Sequence, residues 1–189
     1  MNYLAHAYLS GGNEDLLIGN FIADHLRGND FTAYPEGVVQ GILLHRKIDS
    51  FTDAHPLFKA SKRFFYNGFE KYSGILVDIY FDHFLARSFH DYHPEDLDVF
   101  SLRVYAIYQN SQHLLPESSS RFLTYLVKNN IYQTYAELSG IKTVLRHLSH
   151  RIGHQVALDE SIELFLGAEK DLELNFTAFM KELRLSSGY

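Results

Sequence analysis

The stretch ILVDIYFDHFLARSF, residues 75–89, decides the fold class of this chain. Its periodicity is helical, and it is apolar almost all round, which is typical of a helix buried in the core of a protein. Asp82 lies within this stretch and His83 follows it directly, so we expect a buried carboxylate with a histidine beside it. An unpaired buried carboxylate costs several kcal/mol, so Asp82 needs a partner.

The segments on both sides of this stretch also have helical patterns. Asn13 can cap a helix, glycines stand where helices should end, and prolines stand where they should begin. Valine and threonine are too scattered to indicate strands. At 189 residues, the chain has the usual size of one domain. The sequence therefore predicts an all-α, single-domain helical bundle over residues 1–189, with helices over 2–10, 13–27, 35–52, 57–66, 75–89, 141–151 and 159–185, and two more that begin at Pro94 and Pro116.

The composition excludes several classes of function. The formal net charge is −6, which argues against nucleic-acid binding because that needs a basic face. The chain has no cysteine, which excludes a disulfide framework, a cysteine-based zinc site and a cysteine nucleophile. It has neither a membrane-spanning apolar run of about 18 residues nor a secretory signal. We expect a cytoplasmic protein with no membrane contact.

Potential metal ligands lie on helical stripes that should face the core. Four predicted helices in the first half of the chain each carry one or two such histidine, aspartate or asparagine side chains. A divalent metal ion would satisfy the buried carboxylates and imidazoles together. Ligation by imidazole and carboxylate without thiolate suits Mn, Fe, Zn or Mg better than Ca. The candidate ligands are His6, Asp24, His45, Asp49 and Asp82.

Each candidate also has an ordinary structural interpretation. Asp49 could pair with Arg46 or Lys47, and Asp24 with Arg27, as ion pairs on helix surfaces. A single histidine on an apolar face is more often a hydrogen-bonded core residue than a ligand. The metal hypothesis therefore depends on the repetition of the pattern on four helices.

Three histidines in the second half of the chain also have metal-ligand spacing. His147, His150 and His154 follow one another at intervals of three and four residues. No carboxylate follows them before Asp159, which makes a metal site there the weaker hypothesis.

Four sequence motifs follow one another within residues 1–90. They are NYLAH at 2–6, GNFIAD followed by RG at 19–28, GI through HRKID to TD at 41–53, and DHFL at 82–85. In this order, they resemble the motifs of the acyl carrier protein phosphodiesterase family. The resemblance covers nearly the whole chain and is most specific over residues 1–90.

The resemblance implies both a fold and a reaction. The fold is all-helical and related to the HD-domain phosphohydrolases. The reaction is hydrolysis of the phosphodiester that joins 4′-phosphopantetheine to a serine of holo acyl carrier protein. The resemblance also implies a divalent metal, usually Mn²⁺, with Mg²⁺ or another divalent ion as alternatives.

We assign expected roles on this basis. Asp24 belongs to both the metal site and the catalytic group. His83 would either contact a metal ligand without binding the metal itself or donate a proton to the leaving serine, since the pKa of a histidine is near neutral. Arg46 would stabilise the phosphoryl oxygens with its planar set of donors. The predicted docking face for the acidic carrier lies on the helix at 57–66 and consists of Lys59, Lys62 and Arg63.

Two other functions fit the same residues. An HD-type hydrolase of a nucleotide or alarmone would need a base-stacking pocket, and the 15% aromatic content allows one. A non-catalytic all-α interaction module would pair its histidines and aspartates internally and bind no metal.

Overall fold

The structure is a computed structural model, and it describes residues 2–153 and 156–187. In these residues we find eleven α-helices, short loops and 3-10 turns, without any strand, which confirms the all-α prediction. In chain order the helices are α1 (Tyr3–Tyr8), α2 (Glu14–Ile22), α3 (Glu36–Ala54), α4 (Pro56–Lys62), α5 (Tyr66–Phe69), α6 (Ser73–Arg87), α7 (Leu97–Asn110), α8 (Glu117–Lys128), α9 (Ile131–Thr134), α10 (Leu138–Arg151) and α11 (Ser161–Ser187).

Helices α2 and α4 end several residues earlier than the sequence predicts. Asn13 caps α2 as expected, since its Oδ1 accepts the backbone N–H of Leu16 at 3.1 Å. The helix itself stops at Ile22, and a 3-10 turn at Ala23–His25 takes the place of its predicted last turn. Similarly, α4 passes into a 3-10 turn at Arg63–Phe65. Such turns satisfy carbonyl groups that an α-helix leaves unpaired at its end.

Helix α6 lies at the centre of the bundle, as its apolar sequence predicts. Eleven of its 15 residues are buried, and it packs against α1, α4, α10 and α11. The ring of Tyr80 stacks between Phe65 and Phe165, at centroid distances of 5.2 and 4.3 Å. Aromatic pairs of this kind contribute about 0.5–1.5 kcal/mol each beyond the area they bury. This stack anchors α6 to the segment after α4 and to α11.

The longest helix, α11, lies along α3, α4 and α6. Arg87 at the end of α6 donates to Glu169 at 2.6 Å and to Glu173 at 2.8 Å, which joins the surfaces of the two helices. None of the described helices combines the length and hydropathy needed to cross a lipid bilayer.

Two glycines bring the backbones of α2 and α3 into direct contact. A Cβ on Gly19 would lie 2.0 Å from the carbonyl oxygen of Val38, and one on Gly41 would lie 2.5 Å from that of Leu16. No larger residue fits either position without moving a helix. The contact places Asn20 of α2 directly against α3.

We predict that Gly19→Ala destabilises the protein, because its Cβ would force α2 and α3 apart. Overpacking of this kind costs about 1–3 kcal/mol. Gly167→Ala in α11 is the matched control, because a Cβ there meets nothing within 4 Å. It should stabilise the protein by about 0.5–1 kcal/mol, since alanine loses less backbone freedom on folding. Urea unfolding followed by circular dichroism measures both, and an unchanged midpoint for Gly19→Ala would contradict the close contact.

Candidate metal centre

His6, His45 and Asp49 form a cluster where α1 meets α3. One ligand atom from each lies within 4.8 Å of the other two. The carboxylate of Asp49 is 3.2 Å from Nε2 of His6 through Oδ1 and 3.0 Å from Nε2 of His45 through Oδ2. The two imidazole rings stack at a centroid distance of 4.2 Å, and both histidines are buried. We call these three residues the metal cluster.

The helices explain how these side chains meet. His45 and Asp49 are four residues apart on α3, so they lie on one face one turn apart. His6 comes from α1, which packs against α2 and α6. A cleft of about 310 Å³ opens onto the cluster.

Asn20 fixes the orientation of both imidazole rings. Its Oδ1 lies 2.7 Å from Nδ1 of His6 and 3.0 Å from Nδ1 of His45. Its Nδ2 donates to the carbonyl of His6 at 3.0 Å and to the hydroxyl of Ser10 at 3.1 Å, which settles which end of the amide faces the rings. Because Oδ1 only accepts hydrogen bonds, both Nδ1 atoms carry a proton.

This tautomer fits a bound cation. With protons on Nδ1, the Nε2 lone pairs of both neutral histidines face carboxylate oxygens at 3.0–3.2 Å, which is unfavourable unless a positive charge lies between them. Metal-binding histidines usually donate their other ring N–H to a fixed acceptor, and Asn20 is such an acceptor here. Two imidazole nitrogens and a carboxylate oxygen are a suitable donor set for a divalent transition metal.

Without a metal ion, the cluster holds an extra proton. Burial acts to lower the pKa of His45, but its hydrogen bonds with Asp24 and Asp49 outweigh burial and raise that pKa to about 9. Burial lowers the pKa of His6. The pKa of Asp49 falls well below its usual range, because the two histidines outweigh the effect of burial. A metal ion must displace the His45 proton, so metal binding is favoured as the pH rises toward about 9.

Asp24 lies beside the metal cluster and borders the same cleft. Its Oδ1 is 3.1 Å from Nε2 of His45, and its side chain is 48% exposed. Burial acts to raise the pKa of Asp24, but the hydrogen bond with His45 and the charges of His45 and His6 together outweigh it, and the pKa is lowered. Asp24 is therefore an ionised carboxylate that solvent can reach. Its role as a metal ligand stays a prediction, because the group formed by the ligand atoms of His6, His45 and Asp49 does not include it.

The structure gives Asp82 a different role from the predicted metal ligand. Its oxygens accept the backbone N–H groups of Leu4 at 2.8 Å and of Ala5 at 3.3 Å. These donors belong to the first turn of α1, which Asn2 does not cap. Burial raises the pKa of Asp82 to about 7, although both hydrogen bonds act to lower it. Asp82 therefore holds the helix that carries His6, and it does so from the core.

His83 also lies away from the metal cluster. Its Nδ1 donates to the carbonyl of Tyr135 at 2.7 Å, and its ring meets Phe165 edge-on at 5.7 Å. The residue is 1% exposed, and burial lowers its pKa. A neutral, enclosed imidazole of this kind is a core histidine, so the placement does not support the predicted role in proton donation.

The guanidinium of Arg46 points to a loop and not to the cleft. It donates to Oδ1 of Asn29 at 2.6 Å and to the carbonyl of Gly28 at 2.7 Å, and it covers the ring of Phe31. Arg46 therefore fixes the loop after α2. This position does not support its predicted contact with phosphoryl oxygens.

The predicted docking residues lie on α4 and on the 3-10 turn after it, and α4 directly follows the helix that carries His45 and Asp49. Lys59 and Arg63 are exposed, and Lys62 is half-buried. The ammonium of Lys59 donates to the carbonyl of Ala54, the last residue of α3, at 2.9 Å.

Sequence reasoning missed the role of Asn20, although a signal was present. Asn20 is a polar residue among the buried positions of α2, one turn before Asp24. A buried amide of this kind must find several hydrogen-bond partners, and its partners here are the two ring N–H groups.

Comparison with known proteins gives consistent matches. The family model described as Acyl carrier protein phosphodiesterase matches residues 1–183. A Yersinia pestis protein named acyl carrier protein phosphodiesterase is 35% identical over 184 residues, which cover 93% of each chain. Relatives with the same name from Salmonella dublin and Salmonella agona are 34% identical over 166 residues, which cover 85% of this chain and 84% of theirs. No solved structure matches the chain.

We predict that Asn20→Leu weakens Mn²⁺ binding by about 10–100-fold, because both rings lose the acceptor that fixes their tautomer. Ser10→Ala is the matched control: it removes one partner of the Asn20 amide but leaves both ring contacts, so its effect should be much smaller. Calorimetric titration of each folded variant with MnCl₂ measures the affinities. Equal affinities for Asn20→Leu and the wild type would show that Asn20 does not orient the ligands.

Proposed function

We propose that this chain, which belongs to the acyl carrier protein phosphodiesterase family, cleaves the phosphodiester of its substrate at the metal cluster. A divalent metal ion would serve as the cofactor. The enzyme hydrolyses the bond between 4′-phosphopantetheine and a serine of holo acyl carrier protein. The products are the apo carrier and free 4′-phosphopantetheine. The observation that carries the proposal is the contact of Asn20 with both histidines. Its Oδ1 accepts the Nδ1–H groups of His6 and His45, so the Nε2 lone pairs of both rings face Asp49.

The reaction makes two chemical demands on the site. A phosphodiester is anionic and repels nucleophiles, and the serine oxygen is a poor leaving group. When bound, a divalent ion would neutralise charge on the phosphoryl oxygens and acidify a water molecule. We propose Mn²⁺ for this role, with Mg²⁺ or another divalent ion as the alternative.

The protein's own residues supply the rest of the mechanism. His6, His45 and Asp49 would hold the ion, and the hydrogen bonds of Asn20 keep both rings in place. Asp24 faces the cleft as an ionised carboxylate, so it can orient the attacking water and accept its proton. The serine oxygen can take its proton from solvent in the same cleft.

Several expectations remain predictions. They are the relationship to HD-domain phosphohydrolases, the single-domain organisation of residues 1–189, the cytoplasmic location and the lack of nucleic-acid and membrane partners. The two rival functions, a nucleotide hydrolase and a non-catalytic module, differ from the phosphodiesterase of the family. Incubation of the purified protein with a panel of nucleotides, and in parallel with holo carrier, would distinguish a nucleotide hydrolase from the phosphodiesterase.

We predict that Asp49→Ala and Asp24→Ala each reduce turnover of holo acyl carrier protein by about 100-fold or more, with an unchanged helical circular dichroism spectrum. Asp91→Ala is the control, because Asp91 is an exposed aspartate in the turn after α6. The assay follows the mass of the carrier as it loses its phosphopantetheine arm in the presence of Mn²⁺. A chelator should stop the reaction, and added Mn²⁺ should restore it. Full activity of Asp49→Ala, or indifference to the chelator, would refute the metal proposal.

The docking face for the carrier is a second part of the proposal. The enzyme has a net charge of −6, so it repels an acidic carrier on total charge. Screening limits this repulsion to about 8 Å at physiological salt, so a local basic patch can decide the contact. Lys59, Lys62 and Arg63 form such a patch next to the helix that carries His45 and Asp49.

We predict that reversal of this patch, with glutamate at all three positions, raises KM for holo carrier about tenfold or more at low salt. Hydrolysis of a small phosphodiester should stay unchanged, because it needs no docking. The control replaces three exposed lysines elsewhere, Lys128, Lys142 and Lys170, by glutamate and so changes the net charge equally. If both triple variants raise KM alike, net charge and not the patch governs association.

A further inference from the structure

The residues between Asp24 and the start of α3 have few backbone contacts. Residues 26–35 form no helix, and in the part of the chain that the structure describes, residues 27–30 make no backbone–backbone hydrogen bond. Asp24 lies just before this loop, in a 3-10 turn of three residues. Such a short turn is a weak anchor, because its hydrogen bonds have poorer geometry than those of an α-helix. The position of Asp24 therefore depends on contacts with other parts of the fold.

Two adjacent residues of α3 hold the two ends of residues 24–29, which we call the Asp24 segment. At one end, Nε2 of His45 lies 3.1 Å from Oδ1 of Asp24. At the other end, the guanidinium of Arg46 donates to the carbonyl of Gly28 at 2.7 Å and to the side chain of the next residue at 2.6 Å. One turn of α3 thus holds the whole segment.

The contact between His45 and Asp24 would end when a cation occupies the metal cluster. Nδ1 of His45 already donates its proton to Asn20, so Nε2, the other ring nitrogen, would face the ion as a lone pair. It would then have no proton for Asp24. The two hydrogen bonds of Arg46 involve no ligand atom and would persist. In the metal-loaded enzyme, Arg46 is therefore the side-chain anchor that remains between α3 and the Asp24 segment.

A second cation near Asp24 does not supply this anchor. Arg151, at the end of α10, is close enough for its charge to act with burial in lowering the pKa of His25, the residue after Asp24. Among the described residues, no hydrogen bond or ion pair joins Arg151 to either of them. Of the three histidines with metal-ligand spacing in this region, two lie on α10, and His154 lies outside the described residues.

We propose that Arg46 is a positioning residue, which keeps the carboxylate of Asp24 at the edge of the cleft by fixing Gly28 and Asn29 to α3. The inference rests on the proposed function, in which Asp24 orients the attacking water. With this role, Arg46 contributes to catalysis although its guanidinium points away from the cleft. A planar guanidinium can donate to two neighbouring acceptors at fixed angles, whereas an ammonium is a point charge. The shape of the arginine is therefore needed as well as its charge.

Turnover of holo carrier at saturating Mn²⁺ tests the role in catalysis. We expect Arg46→Gln to lower kcat about tenfold and to change KM about twofold or less, because displacement of a positioned group slows the reaction without affecting carrier binding. Lys47→Gln is the matched control. It removes one positive charge from the next residue of α3, where the lysine is exposed and makes no hydrogen bond or ion pair with any described residue. Its kcat should change about twofold or less.

A double-mutant cycle with Asp24→Asn shows whether Arg46 acts through Asp24. We expect Arg46→Gln to change kcat about twofold or less in the Asp24→Asn background, because the carboxylate that Arg46 positions is already lost. A residue that acted by its charge on the phosphoryl oxygens would lose the same factor in both backgrounds, and Arg46→Lys would restore activity. We expect the kcat of Arg46→Lys to stay close to that of Arg46→Gln. Equal losses in both backgrounds, or rescue by lysine, would overturn the proposal.

Proteolysis of the metal-free protein tests the anchor without the metal or the reaction. Arg27 is exposed within the Asp24 segment, so trypsin can cleave after it when the segment opens. We expect Arg46→Gln to raise the rate of this cleavage about fivefold or more, and Lys47→Gln to leave it unchanged. Asn29→Ala removes one of the two hydrogen bonds at an exposed position and should raise the rate about twofold or more. It serves as a second variant if Arg46→Gln folds poorly.

The results separate this inference from the proposed function. Cleavage of Arg46→Gln and Asn29→Ala by trypsin at the wild-type rate would show that Arg46 does not fix the segment. A wild type that cleaves holo carrier, while both variants turn over as fast as Lys47→Gln, refutes the positioning role alone. A wild type that does not cleave holo carrier refutes the proposed function, and the positioning role with it.

Discussion

The amide oxygen of Asn20 accepts the N–H groups of two imidazole rings, and the geometry of the metal cluster depends on this shared contact. The amide can hold that position because Gly19, its neighbour in the chain, allows α2 and α3 to meet backbone to backbone. On the other side, its Nδ2 is held by the carbonyl of His6 and the hydroxyl of Ser10. One side chain thus connects three helices and sets the protonation of both candidate ligands.

Three aspartates differ in their contacts and their exposure because their environments differ. Asp82 is fully enclosed and holds the first turn of α1 through two backbone N–H groups. Asp49 is partly exposed, and two imidazoles keep it ionised. Asp24 is about half exposed at the edge of the cleft, where water can reach it. The first holds a helix in place, the second shares its oxygens with two imidazoles, and the third faces the cleft.

Patterns along single helices predicted much of this arrangement. The all-round apolar sequence of α6 predicted its burial, and the four-residue spacing of His45 and Asp49 predicted that both face one site. The structure does not support the predicted roles of Asp82, His83 and Arg46, because those roles depend on what faces each side chain. The apolar sequence of α6 predicted that Asp82 is buried. Its hydrogen-bond partner, the backbone N–H of Leu4 in the first turn of α1, lies 78 residues away in the chain. Arg46 follows His45 in the chain, but one residue turns a helix by about 100°, which carries its side chain to the loop after α2.

The close contact of α2 and α3 has a consequence for the proposed metal site. The rings of His6 and His45 are held by an amide from a helix that packs backbone to backbone against α3, so their positions are set by the fold without a metal ion. This differs from small zinc domains, in which the metal and the fold form together. Under the proposed metal dependence, loss of the ion would leave the fold intact, and activity would return with the ion. Under the same proposal, cellular metal supply would control activity reversibly, with no change in the amount of folded protein.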